Sequence, residues 1–121
     1  MRLVLHDPLD ASAAWVAGGL RARGLEVEAV SSRDLLRARR WHHRVDSDGA
    51  TVEITLADGR VVRSAQLRGV VNRLTTVPPL EAPVVPADRE YAEQERQALW
   101  LSWLEALPGP VLNRPTPQGL G

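Results

Sequence analysis

The sequence predicts an α/β domain of the Rossmann-like kind, a mostly parallel sheet flanked by helices with an antiparallel meander inserted in it. Three observations predict it. Short apolar runs alternate with helix-period segments, and that alternation favours parallel strands joined by right-handed crossovers. Asp-Gly occurs at 48–49 and again at 58–59 between β-branched residues, the signal of tight antiparallel turns. Two apolar runs, "GVVNRL" at 69–74 and "GPVLNRP" at 109–115, end alike on Asn-Arg.

Each element has a local chemical reason. "RLVLH" at 2–6 is a first strand, closed by Pro8, with Asp10 placed to cap the first helix. Residues 11–23 put Val16 and Leu20 four apart with Ala13 and Ala17 nearby, and Gly24 stands at the helix end. Gly18 and Gly19 fall inside this helix instead of opening it. They therefore form no phosphate loop, and close packing on the sheet is the expected reason for them. "LEVEAVSS" at 25–32 alternates as a second strand, and "SRDLLRAR" is a short helix with Ser32 as its cap. The meander occupies about 41–64. "RGVVNRL" then reads as a buried parallel strand. Pro78, Pro79, Pro83 and Pro86 make a loop that neither a helix nor a central strand can cross.

Residues 87–107 form the strongest helix, acidic where the helix dipole favours negative charge. Its end is unusual. At 100° per residue Leu99, Trp100, Leu101, Trp103, Leu104 and Leu107 sweep an arc of about 200°, where a one-sided helix needs little more than 100°. Something must cover two sides. The expectation is that Trp100, Leu101, Trp103 and Leu104 form an interface for another domain or a second copy of the chain, with core burial as the alternative. A last strand at 111–112 gives the order β-α-β-α-(β-β-β)-β-α-β, one domain over 1–121.

Composition excludes several functions. The 121 residues carry 15 basic and 15 acidic side chains, so net charge recruits neither nucleic acid nor membrane. Every basic residue is arginine, which removes Schiff-base and P-loop lysine chemistry. There is no cysteine, hence no disulfide or thiolate. The start has no signal-peptide core, no run is long enough to span a bilayer, and a cytoplasmic location is expected.

Topology points to the candidate site. If the runs at 70–71 and 111–112 are parallel strands of one sheet, Asn72, Arg73, Asn113 and Arg114 emerge together at its carboxyl edge, with Asp7 after the first strand. Open α/β sheets bind ligands along that edge. The arginines suit a substrate carboxylate or an acidic peptide. The alternative is that Asn-Arg merely ends strands, since Asn tolerates turn geometry and Pro stops the ladder. Three other groupings are weaker. His42 and His43 are adjacent on a strand and point to opposite faces, a poor metal pair. "RDLLRARRWHHR" could track a phosphate backbone and stack a base on Trp41, but the rest of the chain is acidic enough to make nucleic acid an unfavoured partner. Ser12, His6 and Asp7 lack an oxyanion hole or nucleophile elbow. No catalytic or metal-ligating residue is assigned.

The N-terminal strand, "GVVNRL", the acidic-to-aromatic helix "YAEQERQALWLSWLEAL" with Glu95 and Trp100, and "PVLNRP" together resemble the N-terminal pre-ATP-grasp domain of ATP-grasp ligases. The resemblance is to those similar to ribosomal-protein glutamate ligases and peptide-macrocyclising ligases, and it covers essentially the whole chain. It implies a substrate-side or scaffold domain of an ATP-dependent carboxylate–amine ligase. The family pattern continues into an ATP-grasp unit whose lysines hold nucleotide phosphates and whose carboxylates hold magnesium. This chain ends at "PTPQGLG" without them, so it is expected to be a truncated or split piece, inactive alone and holding no cofactor. ATP and Mg²⁺ are expected only with the ATP-grasp unit, joined in cis or in trans. The expected partners are that unit, an acidic peptide and a second copy of the chain. The alternative is a stand-alone module that binds an acidic peptide or protein without chemistry.

Overall fold

The computed structural model describes residues 1–47, 49–79 and 85–115. Asp48 of the first Asp-Gly pair, Pro83 and residues 116–121 lie outside these. The first strand, β1 (Arg2–His6), buries Leu3, Val4 and Leu5 completely, as a strand covered on both faces must. Helix α1 (Ala11–Ala22) starts at Asp10, whose side chain accepts the Ala13 N–H at 3.1 Å. It stops before Gly24, at φ +82°, which donates to the Arg21 carbonyl at 2.9 Å. Its contact face is Ala13 and Ala17, both buried. Gly18 and Gly19 are exposed, and a Cβ added to either would touch nothing within 4 Å. The expected close packing at these glycines is thus supplied by the two alanines instead.

Strand β2 (Val27–Ser31) lies parallel to β1, and α2 (Ser32–Leu36) comes directly after it. Its cap is Ser31, one residue before the expected Ser32. The Ser31 hydroxyl accepts from the Asp34 N–H at 3.0 Å and Asp34 accepts from the Ser31 N–H at 2.9 Å, a reciprocal capping box. The meander is β3 (Arg40–Asp46), β4 (Gly49–Thr55) and β5 (Val61–Arg63), an antiparallel sheet in the order β3-β4-β5. After a single 3₁₀ turn the chain enters β6 (Gly69–Arg73), then α3 (Pro86–Ala106) and β7 (Val111–Leu112). Pro86 belongs to α3 and not to the preceding loop, because at the first helical turn its missing N–H would have had no partner anyway. The main sheet is parallel throughout, in the order β2-β1-β6-β7.

Period-2 alternation divides the core between two faces. Val4 and Val27 meet Ala13 and Ala17 on the α1 side. On the other side Leu3, Leu5, Val30 and Val70 join the end of α3 and the meander residues Val52, Ile54 and Val62 in a larger cluster. That cluster corrects the expectation of an interface on the wide apolar arc. Trp100, Trp103 and Leu104 are 2%, 1% and 0% exposed, and Leu101 is half-buried against them. The sheet covers one side of the arc, and the meander covers the other through Trp41, whose ring stacks on Trp100 at 6.5 Å and meets Trp103 edge-on at 5.4 Å. These residues are core, and the arc gives no ground for self-association. Among the described residues no helix is long and apolar enough to cross a membrane.

Candidate functional site

β6 lies between β1 and β7, with His6 beside Arg73 and Leu5 beside Asn72, so three parallel strands release their next residues at one edge. Asp7, Asn72, Arg73, Asn113 and Arg114 are therefore brought to the same end of the sheet. Asn72 and Asn113 sit one strand spacing apart, about 4.8 Å, and bond to each other. The Asn72 amide donates to the Asn113 carbonyl at 2.9 Å, and the Asn113 amide donates to the Asn72 carbonyl at 3.3 Å. Asn72 Oδ1 also accepts the Leu74 N–H at 3.1 Å. Asn72 is buried, with both ends of its amide spent within the fold. Asn113 is exposed and adopts φ +62°, a left-handed conformation that Asn tolerates where most side chains do not.

The two arginines behave differently. Arg73 forks onto Asp10, with Nε to Oδ2 at 2.8 Å and Nη2 to Oδ1 at 3.3 Å. Asp10 thereby joins the cap of α1 to the end of β6. The Arg73 guanidinium holds the Asp10 carboxyl below its ordinary value despite partial desolvation, and Asp10 raises Arg73 in return. Arg114 instead folds back on α3, donating to the Glu105 carbonyl at 3.4 Å and the Gly109 carbonyl at 3.1 Å, where a cation suits the helix C-terminus. Asp7 accepts from the Thr75 N–H at 3.2 Å and from the Thr75 hydroxyl, which ties the first loop to the segment after β6. His6 Nδ1 donates to the Asp7 carbonyl at 2.8 Å.

A shallow recess remains at this edge, lined by Asn72, Arg73, Leu74, Thr75 and Asn113. The Thr75 hydroxyl is spent on Asp7, so the donors the recess offers are the guanidinium N–H groups of Arg73 that Asp10 leaves over and the Asn113 amide, a set that receives a carboxylate or a peptide carbonyl. Leu9 stands in the β1–α1 loop, fully exposed at φ +63°. Sequence reasoning misses Asp10 and Thr75 as members of the edge. Asp10 reads as a helix cap, which it also is, and nothing local to residue 75 announces a partner 68 residues earlier.

The other groupings come apart. Asp7 points to Thr75, and no serine joins it with His6 among the described residues. Trp41 packs on two tryptophans, so its faces are not offered to a base. Arg39 donates to the Ala57 carbonyl at 2.6 Å and Arg44 lies 3.7 Å from Asp46, so the arginine run is partly spent on the fold. Among the described residues no three His, Cys, Asp or Glu side chains group as metal ligands.

The sequence matches no protein-family model and no curated protein. Solved structures do share its fold. The macrocyclase MdnB from Microcystis aeruginosa MRC superposes with a TM-score of 0.76 at 16% identity, over 93% of this chain and 37% of its own. The macrocyclase MdnC of the same organism, bound with the precursor peptide MdnA, gives 0.74 at 17% identity over 89% of this chain and 35% of its own. A RiPP-associated ATP-grasp ligase from Chryseobacterium gregarium, in complex with ADP and a leader and core peptide, gives 0.76 at 13% identity over 94% of this chain and 35% of its own. The chain spans about a third of the length of these proteins. At such identities the likeness is one of fold, and it agrees with the pre-ATP-grasp architecture implied by the sequence resemblance.

Proposed function

We propose that this chain is the non-catalytic, N-terminal substrate-side domain of a cytoplasmic ATP-dependent carboxylate–amine ligase that acts on a peptide. The observation that carries the reading is the superposition of nearly the whole chain on about a third of peptide macrocyclases and an ATP-grasp ligase. ATP and Mg²⁺ would be held by an ATP-grasp unit present in cis or in trans. The chemistry available here is recognition. Arg73 and Asn113 at the carboxyl edge would receive acidic or main-chain carbonyl groups of the peptide, beside Thr75, which Asp7 holds in place. Asp7 and Asn72 would shape that edge from behind, and Arg114 would fix the β7 end against α3.

Affinity co-purification of the tagged chain from its source cells, with mass spectrometry of what accompanies it, tests the reading. An ATP-grasp polypeptide, either as a partner or as the remainder of a longer product, is the expected result. Capture of an acidic peptide with no ATP-grasp polypeptide would favour the stand-alone binding module instead.

A further inference from the structure

The turn between β1 and α1 carries a residue unsuited to its shape. Pro8 and Leu9 make the turn between Asp7 and Asp10, and the backbone at Leu9 is left-handed, φ +63°, at a position where glycine or asparagine is the ordinary choice. A bulky side chain adopts that conformation only at a cost. Among the described residues Asn113 is the one other non-glycine residue with a left-handed backbone, and it too stands at the carboxyl edge. Asparagine tolerates the conformation and leucine does not.

The fold draws nothing from the leucine. Its side chain is fully exposed and belongs to neither core cluster, so no packing within the chain offsets the backbone strain. The turn is nevertheless braced on both flanks. Asp7 accepts from Thr75 and Asp10 is forked by Arg73, and both of those partners line the recess at the carboxyl edge. Leu9 precedes Asp10 by one Cα step of about 3.8 Å. A peptide group held on Arg73 therefore has its neighbouring residues, spaced about 3.3 Å apart when extended, within reach of the leucine. Strain held in place beside a binding edge points to a contact made with a ligand, and an aliphatic side chain in water gains only from apolar cover.

We propose that Leu9 is a specificity-determining contact, which receives an aliphatic side chain of a peptide whose neighbouring acidic or carbonyl group is held by Arg73 and Asn113. This rests on the peptide-recognition reading of the edge and adds to it the sequence preferred there, an aliphatic residue next to an acidic one.

NMR titration of the isotope-labelled full chain, followed at the Leu9 methyl groups and the Arg73 and Asn113 side-chain N–H groups, is the test. The probes are end-blocked hexapeptides of glycine and serine with Glu-Leu, Leu-Glu or Glu-Ser at the centre. The better of the two leucine peptides should bind about tenfold more tightly than Glu-Ser, through partial cover of two leucine side chains, and should shift the Leu9 methyls. Leu9→Asn keeps a residue that suits the turn. It should bind Glu-Ser as the wild type does, lose the preference for leucine, and melt no lower than the wild type. Equal affinity of the wild type for all three peptides would overturn the inference and leave the edge reading standing, whereas no binding of any of them would remove both. A clearly lower melting temperature for Leu9→Asn would assign the leucine to the fold. Leu9 methyls that shift as the chain is concentrated without peptide would assign it to a second copy, and either result overturns the proposal.

Discussion

Asp10 caps α1 with one carboxylate oxygen shared between the Ala13 N–H and Arg73, and gives the other to Arg73 Nε. Its depressed pKa has a definite sign in the pH dependence of stability. The carboxylate's contribution is complete above the ordinary Asp range, near 3.9 in an unfolded chain, and is lost as pH falls through the lower folded value. Asp10→Asn should therefore lower the melting temperature at neutral pH and flatten its decline on the acid side, as thermal melts from pH 7 to pH 2 would show. An unchanged acid limb would mean that the pair with Arg73 does not persist in solution. Asn72 differs because it is buried. Asn72→Ala strands the Leu74 N–H and the Asn113 carbonyl, and should cost about 1–3 kcal/mol in chemical denaturation. A loss below about 0.5 kcal/mol would show that water replaces the amide. At this scale the sequence is half legible. It places the Asn-Arg ends together but cannot tell a side chain spent on its neighbour from one left for a ligand, because the deciding partners are 41 and 63 residues away.

Elements are easier to read than their neighbours. Pro8, Asp10, Gly24 and Asp58-Gly59 are local punctuation, and the elements begin and end beside them. What covers α3 is not local, since the stacking partner of Trp100 is Trp41 on β3. Trp103→Ala should cost roughly 3–5 kcal/mol as a large core truncation, comparable with the whole stability of a small domain. A cost near zero would return the arc to the surface. Iodide quenching offers a milder check. Trp15 is 81% exposed while Trp100 and Trp103 are buried, so Trp15→Phe should remove most of the quenchable fluorescence. Arg60 fastens the meander to the main sheet, reaching the Ala29 carbonyl at 2.8 Å, Glu28 at 3.3 Å and Asp58 at 2.8 Å. About a third of its side chain remains exposed, which screens those pairs. Arg60→Met should cost about 1–2 kcal/mol, with faster hydrogen exchange in β4 and β5 than in β1.

Two sheets share one large core in this molecule, and the parallel sheet carries its candidate site at the carboxyl edge. The fold class is legible because strand and helix periods alternate along the chain and the meander declares itself by its turns. The proposed function is legible only through resemblance, since no composition or spacing in 121 residues points to a ligase domain. On the proposed function, this domain supplies substrate recognition to an ATP-grasp unit and no chemistry of its own. ADP release discriminates most sharply, measured with the chain, the ATP-grasp polypeptide and an acidic precursor peptide both separately and together. ADP should form only when all three are combined, and none should form from the chain with Mg-ATP alone. Full turnover without this chain, or ADP formed by this chain by itself, would contradict that division of labour.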